Sequence, residues 1–145
     1  MKTKLTTLLL TLITAISFGH SGVERGPNGG RILEFSKDET MHGEVTVKGD
    51  KFHIAVLDKD MKPVALAEQS LTAITGDRND PKKLEVSKDA KGFVVSLVKA
   101  GDWLILQFKE SPKSKAITAR LEYNTEICEG CKAAEWLCKC EPEKK

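Results

Sequence analysis

Between residues 31 and 123, apolar side chains return at every second position in short runs, and turn-forming residues separate one run from the next. A period of two sends alternate side chains to opposite faces of an extended chain, so such runs make strands with one face in a core. A helix would need spacings of three and four. The runs fall at 31–35, 41–47, 52–57, 64–67, 71–75, 83–86, 93–98, 103–108 and 117–123. Gly26-Pro27-Asn28-Gly29-Gly30 turns the chain before the first run, and Lys48-Gly49-Asp50-Lys51 reads as a hairpin break. Asp58 to Pro63 is a longer break and Ala100-Gly101-Asp102 another. Short strands at this spacing predict an all-β chain, an antiparallel immunoglobulin-like β-sandwich over residues 31–123. In the runs at 93–98 and 103–108 some neighbours are both apolar, as suits strands in the middle of two packed layers. Phe52, Ile54, Val56, Val95, Leu97, Leu104, Leu106 and Phe108 are the expected interior. The polar stretch 76–81 reads as a solvated loop.

Outside this span the two ends differ in kind. Residues 1–19 have the parts of a secretory signal, with Lys2 and Lys4 ahead of an apolar stretch from Leu5 to Phe18. Small residues allow a cut before Phe18 or before His20. The apolar stretch is shorter than the roughly 20 residues of a membrane span, so a cleaved signal is expected, leaving no span and a periplasmic or secreted protein. Removing it takes two of the 23 basic residues and leaves 21 of each sign. A neutral chain without a basic stripe does not suit nucleic acid. Residues 20–30 are then an N-terminal extension, and residues 124–145 a tail with a charged end at 141–145.

That tail holds all four cysteines, as Cys128-Glu129-Gly130-Cys131 and Cys138-Lys139-Cys140. Thiols so close in sequence can converge on one soft ion, since a tetrahedral zinc or a Cu(I) site takes sulfur ligands that a tight turn and a short link supply. Cys128, Cys131, Cys138 and Cys140 are therefore the candidate metal ligands, with zinc or Cu(I) as the ion. Gly130 would give the turn its freedom, Trp136 and Leu137 would pack on the sandwich, and Lys132 and Lys139 would offset thiolate charge. The ion is expected to hold an autonomous tail on an independent sandwich, so that its loss would release Trp136 to solvent. In an oxidising compartment an even number of cysteines also reads as two disulfides in any of three pairings, and Cys-x-x-Cys occurs in thiol-disulfide redox proteins. An interaction module with an oxidised tail is thus the competing reading.

A cut before His20 would make its amine and imidazole a Cu(II) chelate, with His42 or His53 completing it. A start at Phe18 removes that site. His53 alternates with Phe52 and Ile54 as a surface position, and His42 borders a strand. No Ser-His-Asp order, phosphate loop or His-Glu-x-x-His helix is present, so the sequence predicts a protein that is not an enzyme.

His20-Ser21-Gly22, the segment Gly26-Pro27-Asn28-Gly29-Gly30-Arg31-Ile32-Leu33, and Asp58-Lys59-Asp60-Met61-Lys62-Pro63-Val64 together resemble the N-terminal segment of periplasmic adaptor subunits of heavy-metal efflux systems. The likeness covers residues 20–65. Those adaptors carry helical hairpins and lipoyl-like domains that this chain has no room for, and commonly histidine where Asn28 stands. The chain as a whole is also similar to small exported bacterial proteins with the same opening, a β domain and a cysteine-rich end. The resemblance implies metal handling in the cell envelope, with an envelope protein or efflux component as partner, and does not extend to pumping.

Overall fold

The structure, a computed structural model, describes residues 23–140. The signal-like segment, its two cut sites, His20 and the charged end at 141–145 lie outside the described residues. Nine strands run through the rest: β1 (Arg31–Glu34), β2 (Met41–Lys48), β3 (Lys51–Asp58), β4 (Ser70–Thr75), β5 (Lys82–Leu84), β6 (Val86–Lys88), β7 (Gly92–Ser96), β8 (Trp103–Lys109) and β9 (Ile117–Glu122). They make two antiparallel sheets, one ordered β1-β2-β3-β7-β6 and the other β5-β4-β8-β9. Setting β1 and β5 aside, β2-β3-β7-β6 facing β4-β8-β9 follows the neighbour order of a constant-type immunoglobulin sandwich. The likeness is one of order alone, for no cysteine lies in any strand.

Alternation fixes which side chains meet between the sheets. In the β2–β3 register Val45 faces Ile54 and Val47 faces Phe52, while β8 places Leu104 and Leu106 opposite Leu121 and Ala119 of β9. Phe52, Ile54, Val56, Val95, Leu104, Leu106 and Phe108 are buried as expected, and Leu97 packs at the edge of the same cluster, half-buried. Phe35 stacks on Phe108 with ring centroids 4.5 Å apart. Its ring also lies flat against Gly43, where an added Cβ would come within 2.3 Å of the ring. Between β2 and β3 the two-residue turn needs a left-handed first position, and Gly49 supplies it with φ of 61°.

Two of the expected strands differ. The run at 83–86 is not one strand but a crossing: β5 pairs with β4 in the second sheet, β6 pairs with β7 in the first, and Glu85 lies between them. The run at 64–67 forms no strand. Its approach is taken up by a turn in which the Asp58 carboxylate accepts the amides of Asp60 and Lys62, and Pro63 has no N–H for a ladder. Only a single bridge between Leu57 and Pro63 remains.

The face of β2 turned away from the core carries Glu44, and here alternation alone misleads. Glu44 is fully buried, because the turn at 26–30 folds over it. Its Oε1 accepts the amides of Asn28 at 2.7 Å and Gly30 at 3.0 Å, and its Oε2 accepts the Asn28 side-chain amide at 2.7 Å. The carboxylate thus satisfies three donors of a segment with no ladder of its own. Glu44→Ala should leave the buried Gly30 amide unpaired and the part-buried Asn28 donors to water, destabilising the fold by about 1–3 kcal/mol, the cost of one orphaned buried group. Denaturant unfolding followed by far-UV dichroism measures this; a midpoint equal to that of the unaltered protein would show that the carboxylate does not hold the turn.

Candidate metal centre

After β9 the chain runs through Tyr123 and Asn124 into a compact knuckle. Ile127 bridges Ala134, the Cys128 amide donates to the Ala133 carbonyl at 2.8 Å, and the Lys132 amide returns to the Cys128 carbonyl at 2.8 Å. The tight return needs one left-handed residue, and Lys132 takes it with φ of 60°. Gly130 serves a different need from the turn freedom expected of it. A Cβ there would lie 3.2 Å from the Cys140 sulfur and 3.7 Å from that of Cys128, so glycine leaves the room in which sulfurs gather.

A short 3-10 turn, Glu135–Leu137, carries the chain from the knuckle to Cys138 and Cys140. The Glu135 amide donates to Glu126 at 2.8 Å and the Trp136 amide to Asn124 at 3.0 Å. Trp136 is 6% exposed and belongs to the same buried cluster as the strands. Its ring meets Tyr123 edge-on at 5.5 Å, and Tyr123 meets Phe52 of β3 at 5.1 Å. From the other side the Arg31 guanidinium reaches the Trp136 carbonyl at 3.4 Å, and the Val23 amide the Cys138 carbonyl at 3.2 Å. Trp136 and Leu137 pack on the sandwich as expected. Backbone bonds and aromatic contacts thus join the tail to the sandwich in addition to any ion the cysteines hold.

These segments bring the Sγ atoms of Cys128, Cys131, Cys138 and Cys140 within 4.8 Å of one another. Cys131 and Cys138 are 3.5 Å apart, Cys128 and Cys140 3.8 Å. Four sulfurs about 2.3 Å from a central zinc stand about 3.8 Å from each other in a tetrahedron, so the cluster has the size of an ion's coordination shell. It can hold a metal ion. The Cys140 amide donates to the Cys138 sulfur at 3.3 Å, which orients that sulfur and stabilises negative charge on it. Cys138 is buried, Cys128 is half-buried, and Cys131 and Cys140 are exposed.

The four thiols do not ionise alike. The Ala133 backbone amide, followed by the contact with Cys138, holds the Cys131 thiol down at about 7. Cys138 is pushed up to about 12, first by its contact with Cys128. Cys140 is pulled down by its contact with Cys138, but its contacts with Cys128 and Cys131 outweigh this and leave it raised. The main causes are backbone amides and neighbouring sulfurs rather than Lys132 or Lys139, both of which are exposed.

His42 and His53 are not part of this cluster. His42 lies inside β2, buried, with Nδ1 3.0 Å from the Glu34 carboxylate on β1, rather than at a strand border. His53 is half-buried on the outer face of the same sheet, opposite Val94 of β7. Glu44 was not singled out from the sequence; its only signal was a lone acidic residue within the strand-like run 41–47. Comparison with protein-family models, with curated proteins and with solved structures finds no match. Among the described residues no helix is long and apolar enough to cross a membrane.

Near neutral pH Cys138 and Cys140 keep their protons until an ion displaces them, and below about 7 Cys131 gains one as well. Protons and metal then compete for the same sulfurs. Affinity should fall at least about a hundredfold per unit of falling pH, because two or more protons are displaced per ion. Competition against a chromogenic chelator, corrected for the chelator's own protonation, measures the slope. A flat profile would mean that the thiols are not the ligands.

Proposed function

We propose that the protein is an exported, non-enzymatic metal-binding protein of the cell envelope that holds one ion at Cys128, Cys131, Cys138 and Cys140. The observation that carries this reading is the convergence of four sulfurs, each from a different position of one compact segment, to within 4.8 Å. Four thiolates at tetrahedral spacing favour zinc, for which such a set is a closed structural site. Cu(I) is the second reading, and the exposure of Cys131 and Cys140 favours it, since accessible sulfurs allow transfer to another soft-ligand partner.

The placement in the envelope rests on the signal-like character of residues 1–19 and on the resemblance of residues 20–65 to the N-terminal segment of heavy-metal efflux adaptors. On this reading the protein handles metal in homeostasis or efflux, and the partner is an envelope protein or efflux component. No catalytic role is assigned to any residue. The sandwich is the scaffold, and the tail fixed to it by Trp136 carries the ion.

Elemental analysis of protein purified under reductant, with and without chelator, tests the reading. About one zinc or one copper per chain is expected, with loss of the ion on chelation. Cys131→Ser should abolish stoichiometric binding rather than remove a quarter of the affinity, because the ion must then recruit water or a carboxylate such as Glu129, each a poorer donor to a soft metal. Far-UV dichroism should be unchanged by the substitution. Metal-free protein under reductant, or a C131S variant with full occupancy, would overturn the assignment.

A further inference from the structure

Of the contacts within the cluster, two at 3.5 and 3.8 Å divide the four cysteines between them, Cys131 with Cys138 and Cys128 with Cys140. Each contact joins a more exposed sulfur to a less exposed one: Cys131 is exposed and Cys138 buried, Cys140 exposed and Cys128 half-buried. Thiol-disulfide exchange needs that division of labour. A sulfur that a solution oxidant can reach forms the mixed disulfide, and a second thiol, screened from solution but in contact with the first, resolves it.

We propose that the cluster is an oxidation-gated metal site, in which a small-molecule disulfide converts Cys131 with Cys138 and Cys128 with Cys140 into two disulfides and expels the ion. This rests on the metal-binding reading above. In each half, the exposed thiolate attacks one sulfur of the oxidant and releases the other as a thiol. The screened cysteine then attacks the exposed one, forms the intramolecular S–S bond and releases the second half of the oxidant. For a zinc-loaded site, four thiolates give up four electrons to two oxidant disulfides. Four protons taken from solvent complete four small-molecule thiols, and zinc leaves as the divalent ion. No sulfur keeps the negative charge that made it a ligand, so release accompanies oxidation.

The pairing sets this site apart from the alternatives that sequence spacing leaves open. A bond within Cys128-x-x-Cys131 would leave the knuckle closed on itself, and one within Cys138-Lys139-Cys140 would close a small strained ring. The crossed pairing instead ties the knuckle to the segment after Trp136. It fastens the tail by the same two halves that the ion joins. Metal-bound and oxidised forms then share one backbone arrangement, and the exchange between them needs only that each sulfur pair close from contact distance to a bond of about 2.05 Å.

The chain carries its own means of testing the pairing. Cleavage after lysine and after glutamate, which spares the Glu141-Pro142 bond, separates all four cysteines, placing Cys128 in 127–129, Cys131 in 130–132, Cys138 in 136–139 and Cys140 in 140–143. The full reduced chain is loaded with zinc and treated with oxidised glutathione. The metal is followed with a chromogenic chelator and the digest by mass spectrometry, in parallel with a metal-free reduced sample. Complete loss of zinc is expected, with 130–132 linked to 136–139 and 127–129 linked to 140–143. Zinc retained through oxidation, a link between 127–129 and 130–132, or cysteine oxidised to sulfinic acid in place of disulfides would overturn the proposal and leave the metal reading standing. Reduced protein that takes up neither zinc nor Cu(I) would overturn the gating and the metal reading together, while the metal-free sample would still report the pairing. In metal-free Cys138→Ala, a glutathione adduct should persist on Cys131, and its absence would refute the assignment of Cys138 as the resolving thiol.

Discussion

The candidate metal centre depends on Trp136 being inside. Among the described residues the tail after β9 has no ladder strand, and its knuckle is held by a handful of backbone bonds. What gives it a fixed position is the aromatic file from Phe52 through Tyr123 to Trp136, with edge-on contacts at 5.1 and 5.5 Å. Each such contact contributes about 0.5–1.5 kcal/mol beyond the area it buries, and the indole itself removes a large apolar surface from water. With the ring seated, Cys131 on one side of it and Cys138 on the other are brought to sulfur contact. The site is therefore a property of the sandwich's edge as much as of cysteine spacing.

Much of this was legible in the sequence, for identifiable reasons. A period of two is a direct image of strand geometry, so the sandwich and the interior placement of Phe52, Ile54, Leu104 and Leu106 followed from it. The cysteine cluster was legible because its members are close in the chain, where local turns limit how far apart they can lie. The crossing at Glu85 was not, since a strand that changes sheets keeps the same alternation, and only its partners differ. The burial of Glu44 was hidden for a related reason. Alternation assigns a side chain to a face but does not say whether an irregular segment such as 26–30 will cover that face. Gly130 was read for its backbone when its lack of a side chain was what mattered, and the left-handed residue turned out to be Lys132.

The two covering devices solve the same problem on different parts of the sandwich. Turn 26–30 lies over the outer face of β2 and is fixed by a buried carboxylate, because it brings peptide N–H groups and no apolar side chain to the contact. The tail lies at the edge near β1 and β9 and is fixed by apolar burial, because it brings an indole. Polar fixing is directional and sets the turn to within a hydrogen-bond length. Apolar fixing is less directional, and the hydrogen bonds from the Trp136 amide to the Asn124 carbonyl and from the Arg31 guanidinium to the Trp136 carbonyl supply the missing orientation.

The bond from the Val23 amide to the Cys138 carbonyl, together with that from Arg31 to Trp136 across 105 positions of sequence, ties the start of the described chain to a segment made after every strand. Contacts of such separation form late, after the loop-closure cost has been met by the sheets. A chain that ended before the tail would leave the Tyr123 ring without the indole that packs against it.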